Sequence, residues 1–447
     1  MKKRKYHYFF EDNSKLKVQE KLDFKQNGLL YYKDIEIECF DSYEGDLELF
    51  AVPIKYLHNF DTILALNNLT CDLEDFFDQC REVIAVPEKH QNEKGTEGKM
   101  NFQAYFHDFP TSLESINDKA IVVVALAPIK KMLDAKGKRL YKVAAYVHAN
   151  EFNFSPNIES EELIPGYYYN MLRVSEDRVD GKQIYRRTGV FSTVFGVLLD
   201  LTKQNDIHYV YATMGKENTK IKTALVKLAN DYNKKHDFFS TISNSKITFL
   251  HGSNKYRNKL IDITNDTEQL EILYNKSHKI RGKYMFNQFS SFKDFLHTYN
   301  RVISYSKSTK AFMLADKNGN MTAACVAVNW GDYLSFNLDN PKGIFRLVEK
   351  LKLTNKLVYA WFTVGEEREV DKLYKGVSKY YKDNYNIKMF ILNSYDGDPY
   401  QKVKSSLIND PMNYFVIHDR PKEYQKFKEY SKDENGNVRI FIDTAML

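Results

Sequence analysis

Cysteine is scarce in this chain. Cys39, Cys71, Cys80 and Cys325 are its only four, they form no CxxC pair, and none stands beside a histidine at metal-ligand spacing. A disulfide-stapled scaffold is thereby excluded, and a reducing, cytoplasmic setting is expected. Long apolar runs are missing too. No segment comes near the roughly 18 uninterrupted apolar residues of a spanning helix, so a membrane is not an expected partner. The stretch Tyr6–Phe10, between Lys2–Lys5 and Glu11-Asp12, is too short and too polar for a signal-peptide core. The 11 histidines are scattered without an HxxxH pair, which argues against a metal site. Neither a GxSxG elbow nor a GxxxxGK[ST] loop occurs, against a serine hydrolase or a P-loop NTPase. Charge of one sign is also lacking: 65 basic residues face 59 acidic ones, for a net +6. The single dense basic run, Lys2-Lys3-Arg4-Lys5, reads as a solvated terminus rather than a nucleic-acid arm. Nucleic acid is therefore not an expected partner, although the small excess would suit an anionic ligand such as a nucleotide cofactor.

What the chain does have is ample material for packed cores, with 43% hydrophobic and 14% aromatic residues. The 32 Tyr and 30 Phe against 2 Trp, together with abundant Lys and Asn, point to codon bias more than to function. A length of 447 residues calls for two domains. Residues 30–53 alternate as strands, Leu73, Phe76, Phe77 and Cys80 fall at helical spacing, and Lys89–Lys99 is a polar loop. Ala120–Leu126 is apolar throughout and should be an internal strand buried on both faces. Asp134–Lys138 then reads as a hairpin turn before a strand over Arg139–His148. The same arrangement recurs at Phe312–Ala315, Asp316–Asn320 and Met321–Val328, where Asp316 and Gly319 follow Asp134 and Gly137 by 182 residues. An internal duplication is expected. The boundary falls near 240, giving units 1–240 and 241–447. A fresh strand at Leu260–Ile263 precedes a helix capped by Asp266 and Gln269, with Leu270, Leu273 and Tyr274 in its core.

Chemistry gathers in the first unit. Tyr167–Val174 reads as a strand, and Arg186-Arg187-Thr188-Gly189-Val190-Phe191 leads into a helix striped by Val194, Val197, Leu198 and Leu201. A strand at Ile207–Met214 and a helix over Glu217–Tyr232 follow. A helix N-terminus carries backbone N–H groups without intrahelical partners, and flanking arginines add charge-assisted bonds, so this turn is suited to an anion. Arg178-Val179-Asp180-Gly181 offers a rival register, but it leaves about 25 residues before the next strand against 17 from Gly189. In the preferred register Asp177–Gln183 becomes an extra hairpin or loop.

At these residues the chain resembles the GNAT superfamily of acyl-CoA-dependent N-acyltransferases, whose cofactor motif is Gln or Arg, two residues, Gly, one residue, then Gly or Ala. Arg186 and Gly189 match its first and fourth places, whereas Phe191 occupies the last. The resemblance covers about residues 110–420. It implies an α/β fold of the α+β kind: two GNAT-like domains, each a mixed, mostly antiparallel twisted sheet flanked by helices. It further implies acetyl-CoA or another acyl-CoA as co-substrate, no metal, and a small-molecule or peptide amine as acceptor. The backbone of Leu172, Arg173 and Val174 would pair with the pantetheine arm. Arg186, Arg187, Thr188, Gly189, Val190 and Phe191 would hold the pyrophosphate, and Asn218 would contact the cofactor. The family's tyrosine, expected about seven residues on, is Leu225 here; Tyr232 lies two helical turns beyond and could replace it as proton donor. Glu176 is the carboxylate nearest a useful place for a base, and the carboxylate of Leu447 is an alternative base in some tandem members.

The same element order recurs in the second unit: strand Leu357–Val364, helix Val370–Lys382, strand Lys388–Asn393 and a helix over Asp398–Leu407. Its turn, Gly365-Glu366-Glu367-Arg368-Glu369, would repel a pyrophosphate. A degenerate second domain is expected, shaping the acceptor pocket or an interface. The alternative for the whole chain is a catalytically silent GNAT-like binding or scaffold protein.

Overall fold

A computed structural model describes residues 1–12, 16–67, 69–70, 73–85, 101–133, 139–154, 164–179, 182–215, 219–281, 289, 291–339, 346, 350, 352, 355–394 and 406–418. Strands β1 (Lys2–Phe10), β2 (Glu20–Phe24), β3 (Gly28–Cys39) and β4 (Glu48–Pro53) lead to helices α1 (Phe60–Leu66) and α2 (Leu73–Ile84), strand β5 (Asn101–Phe106) and helix α3 (Thr111–Ile116). Next come β6 (Ile121–Leu133), β7 (Arg139–Phe154), β8 (Ile164–Val174), the short β9 (Arg178–Val179) and β10 (Lys182–Gln183), α4 (Val190–Gln204), β11 (Tyr209–Gly215), α5 (Thr219–Asp231) and β12 (Lys235–Phe249). The chain continues with α6 (Asn254–Arg257), β13 (Ile261–Asp262), α7 (Thr267–Arg281), α8 (Phe292–Tyr305), β14 (Lys310–Ala315), β15 (Met321–Asn329) and β16 (Leu334–Asp339). It closes with β17 (Leu357–Gly365), α9 (Glu367–Tyr385), β18 (Met389–Ser394) and β19 (Ser406–His418).

Most strands join one 15-stranded mixed sheet in the order β13-β14-β15-β17-β18-β12-β19-β11-β8-β7-β6-β4-β1-β3-β2. Helices cover both faces, so the mixed α/β architecture with a mostly antiparallel sheet is as expected. Read outward from its middle, the sheet repeats itself. β8 pairs parallel with β11 through Gly166–Tyr168 and Tyr209–Tyr211, and β17 pairs parallel with β18 through Leu357–Tyr359 and Met389–Ile391. Met171 and Phe362, each three residues beyond those pairs, hold left-handed backbone at φ 55° and 57°. In both places the antiparallel ladder to the preceding strand shifts register. The two halves are stitched by exchange: β12 pairs with β18, and β19 pairs with β11 and with β12. Residue 240 thus lies inside β12, whose two sheet neighbours, β18 and β19, both come from the second half.

One core lies on the α4 side of the first half and includes Val194, Val197, Leu198 and Leu201, the stripe read from the sequence. A second core, under α1–α3, α7 and α8, spans both halves, and a third lies under α9. Ala120–Leu126 is buried throughout, Asp266 accepts from the Gln269 backbone N–H at 3.1 Å, and Asp316 accepts from the N–H groups of Asn318 and Asn320. Two expectations are corrected. The basic run Lys2–Lys5 is not a loose terminus but the start of β1, paired with β3, in which Lys2, Lys3 and Lys5 stay exposed and Arg4 is drawn partly inward. A helix over Asp398–Leu407 is not seen in the part described: Ser406 and Leu407 begin β19, where Ser406 pairs with Thr248. Lys89–Lys99 and Asp134–Lys138 lie outside the described residues. No described helix is long and apolar enough to cross a membrane.

Candidate functional site

Beyond Tyr168 the pairing of β8 with β11 stops, while β8 stays paired to β7 as far as Val174 and β11 to β19 along its whole length. The two strands therefore diverge, and a cleft of about 90 Å³ opens between them. Asn170, Met171, Leu172 and Arg173 form one wall and Ala212, Thr213 and Met214 the other. Phe191 and Phe195 of α4, with Ile221 and Leu225 of α5, close it from the helical side. The bulge at Met171 is what frees this edge: a register shift re-aims the backbone at the mouth of the divergence. Arg173 sits in the wall with Nη1 donating to the Leu172 carbonyl at 3.2 Å.

Phe191, in the first turn of α4, lines this cleft, whereas Arg186–Val190 before it are outside the lining. Gly189 is the helix N-cap in left-handed backbone, φ 85°, and Thr193 N–H donates to its carbonyl at 2.9 Å. Thr188 Oγ1 donates to the Tyr185 carbonyl at 2.6 Å, Arg187 is exposed, and Val190 is fully buried at the first helical position. Arg186 Nη2 lies 2.7 Å from Glu176 Oε1, so the first arginine of the motif is held by the carboxylate foreseen as a base. β9 and β10 form a two-stranded ribbon, so Arg178 and Val179, which open the rival register, are strand residues paired with Gln183 and Lys182.

Gly189 does not face an open surface. A Cβ there would meet the Asp41 Cα at 2.4 Å and the Ser42 nitrogen at 2.9 Å, and Ser42 N–H donates to the Thr188 carbonyl at 2.9 Å. The Asp41 carboxylate accepts from Thr193 Oγ1 at 2.9 Å and from Arg4 Nε at 3.0 Å, with its side chain 0% exposed. The missing side chain of Gly189 thus makes room for the backbone of Asp41 and Ser42. An internal carboxylate beside a helix N-terminus is electrostatically favourable, and Arg4 neutralises it.

Of the remaining expected residues, Leu172, Arg173 and Phe191 line the cleft, whereas Val174 pairs with Ala145 and is outside its lining. Asn218 lies outside the described residues, as does Leu447. Tyr232 is also outside the lining: its hydroxyl donates to the Ser192 carbonyl at 3.0 Å, and its ring packs against Phe40 and Phe195. Burial and the nearby Cys39 push its hydroxyl well above the ordinary tyrosine value, so as placed it is a packing residue of α4. Asn170, Met171 and Thr213 were not singled out in the sequence. Among the described residues no cluster of three or more His, Cys, Asp or Glu is suited to a metal.

In the second half the equivalent notch is differently furnished. Trp361 stands where Asn170 stands in the first half, fully buried against Phe289, Phe295 and Phe362. The α9 N-cap is Glu366, with Glu367 and Glu369 in the first turn.

No protein-family model and no curated protein matches this chain. Similar solved structures include N-myristoyltransferase of Saccharomyces cerevisiae with bound myristoyl-CoA and inhibitors, at 12% identity and TM-score 0.48, covering 91% of this chain and 88% of that one. A protein of Enterococcus faecalis described as a probable N-acyltransferase is similar at 10% identity and TM-score 0.38, covering 83% and 72%. Eis1 of Mycobacterium abscessus is similar at 7% identity and TM-score 0.31, covering 70% and 72%.

Proposed function

We propose that this chain is a GNAT-like, acyl-CoA-dependent N-acyltransferase that moves an acetyl or other acyl group to a small-molecule or peptide amine. One observation carries this: the parallel pair β8–β11 parts around the Met171 bulge into a cleft lined by Phe191 from the first turn of α4. Such a cleft offers unpaired strand backbone to the amides of a pantetheine arm, and the helix terminus offers N–H groups and arginines to a pyrophosphate. Leu172, Arg173 and Phe191 would meet the arm. Arg186, Arg187 and the first turn of α4 would meet the phosphates, without help from a close approach at Gly189. The acceptor nitrogen attacks the thioester carbonyl carbon; the C–N bond forms, the C–S bond breaks, and the proton lost from nitrogen ends on the CoA thiolate. Backbone N–H groups at the bulge would stabilise the oxyanion.

We assign this activity to unit 1–240 and regard 241–447 as its degenerate partner, in keeping with Trp361 and the acidic turn at α9. A cytoplasmic setting belongs to the same proposal, since Cys39, Cys80 and Cys325 are buried free thiols. At a hundredfold excess over its Kd, acetyl-CoA should stabilise the fold by about 2.7 kcal/mol, read as a raised melting temperature. Arg186→Ala with Arg187→Ala should abolish that rise. No rise in the native protein with acetyl-CoA or longer acyl-CoAs would overturn the proposal. A second reading, a catalytically silent binding protein, draws on the engagement of Glu176 by Arg186 and of Tyr232 by Ser192. It is distinguished by a melting shift without release of thiol when amines are added.

A further inference from the structure

Tyr146, His148 and Asn150 are alternate residues of β7. Ala145, Val147 and Ala149 between them belong to the core on the α4 side, so the three face the opposite side of the sheet. All are buried, His148 to 2% and Asn150 to 1% exposure. The Tyr146 hydroxyl, both ring nitrogens of His148 and both amide atoms of Asn150 have no hydrogen-bond partner of good geometry. Burial disfavours the protonated ring, and a side-chain interaction with Asn150 acts against that. Neighbours on the same face are engaged: the hydroxyls of Tyr168 and Thr213 lie 2.6 Å apart. Buried polar groups are as a rule satisfied, and a cluster left open marks a place for water or for a ligand.

The second half of the molecule provides the control. Val326 faces Trp361 as His148 faces Asn170, Val328 faces Tyr359 as Asn150 faces Tyr168, and Ala324 faces Val364 as Tyr146 faces Arg173. Positions that carry Tyr, His and Asn in one half therefore carry Ala, Val and Val in the other, all within the core. The fold accepts apolar side chains in this geometry, so packing does not require the polar strip.

Its location indicates what does. The β7–β8 ladder shifts register between the His148–Asn170 and Tyr146–Arg173 pairs, around Met171. The strip flanks, one strand away, the bulge where the thioester carbonyl would lie, and in this respect the inference rests on the acyltransferase proposal. We infer that Tyr146, His148 and Asn150 form the acceptor site, and that it takes a primary amine in its neutral form beside an uncharged polar group such as an amide or hydroxyl. None of the three side chains is a carboxylate that would favour an ammonium, or a lysine or arginine that would hold an acid. A ring nitrogen of His148 and the Asn150 carbonyl can accept from the amine, while the Asn150 amide and the Tyr146 hydroxyl can donate to its neighbour. These contacts bind and orient; the amine's own lone pair does the attacking.

The test uses the full chain with isotope-labelled histidine and glycinamide as the probe amine. Glycinamide should shift the His148 ring resonances, identified by their loss in His148→Phe, to saturation. Asn150→Leu should weaken that response about tenfold, the loss expected for one or two hydrogen bonds. His148→Phe should leave acetyl-CoA binding unchanged and should not lower the melting temperature. Ring resonances that glycinamide, ethanolamine and benzylamine all leave unmoved would mean ordered water only, and would overturn the site. So would a steep loss of melting temperature in His148→Phe, which would make the ring structural. If amines move His148 while acetyl-CoA never binds, the acyltransferase proposal fails and the amine site stands.

Discussion

Replacing Arg4 with Met is expected to destabilise the fold by about 3–5 kcal/mol, the range for breaking a buried ion pair from one side. Arg4 is 10% exposed and holds Asp41 through Nε at 3.0 Å and Nη2 at 3.2 Å, and it also donates to the carbonyls of Tyr43 and Gly45. Without it the fully buried Asp41 carboxylate would retain the Thr193 hydroxyl and, at 3.9 Å, Lys2. Neither substitutes for a two-point guanidinium contact. Arg4→Met with Asp41→Asn should cost less than Arg4→Met alone, because the second change removes the stranded charge. The check is the unfolding midpoint of the three variants in urea. A loss below about 1 kcal/mol in Arg4→Met would place the pair with ordinary surface bridges. The site has a stake in the outcome, since Asp41 and Ser42 are the residues that press on Gly189 and tie down the turn before α4.

That pair also shows where sequence reading stopped. Lys2-Lys3-Arg4-Lys5 looks like a charge run, and nothing local tells that Arg4 will be drawn inward by an aspartate 37 residues on. Local signals did carry: the all-apolar Ala120–Leu126, the Asp266 cap and the Asp316 turn are each decided within a few residues, and each is found in place. The exchange of β12 and β19 between halves was not legible, because their pairing depends on partners 140 to 150 residues away for β12 with β18 and about 200 for β19 with β11. In the candidate site, Leu172, Arg173 and Phe191, singled out through the resemblance, line the cleft. The bulge was hidden, since Met171 adopts left-handed backbone without the glycine that would announce it. For the β7 strip a signal existed: Tyr146, His148 and Asn150 alternate with Ala and Val, which by itself describes a strand with one wet face. Burial of that face against the second core turns the same pattern into a set of unsatisfied groups.

Those groups carry the other large effect, one on pH. Histidine ordinarily titrates near 6.5, and burial pushes the His148 ring down to about 4. Between these values the unfolded chain takes up a proton that the folded chain refuses, so the unfolded state binds more protons and stability rises with pH. The contribution is complete above pH 6.5, is lost progressively as pH falls toward 4, and is flat below. At 1.36 kcal/mol for each pH unit, the span corresponds to about 3 kcal/mol. Carboxylates elsewhere also titrate in this range, so the informative quantity is the difference between the native chain and His148→Phe. We expect the two stability curves to converge or cross in favour of the variant as pH is lowered, by up to that amount. Parallel curves from pH 7 to pH 4 would mean that the ring is protonated in the folded state, and hence that an anion or a water network reaches it. Glycinamide should add stability to the native chain that grows with pH above 6.5, where a neutral ring and a growing neutral fraction of the amine coexist.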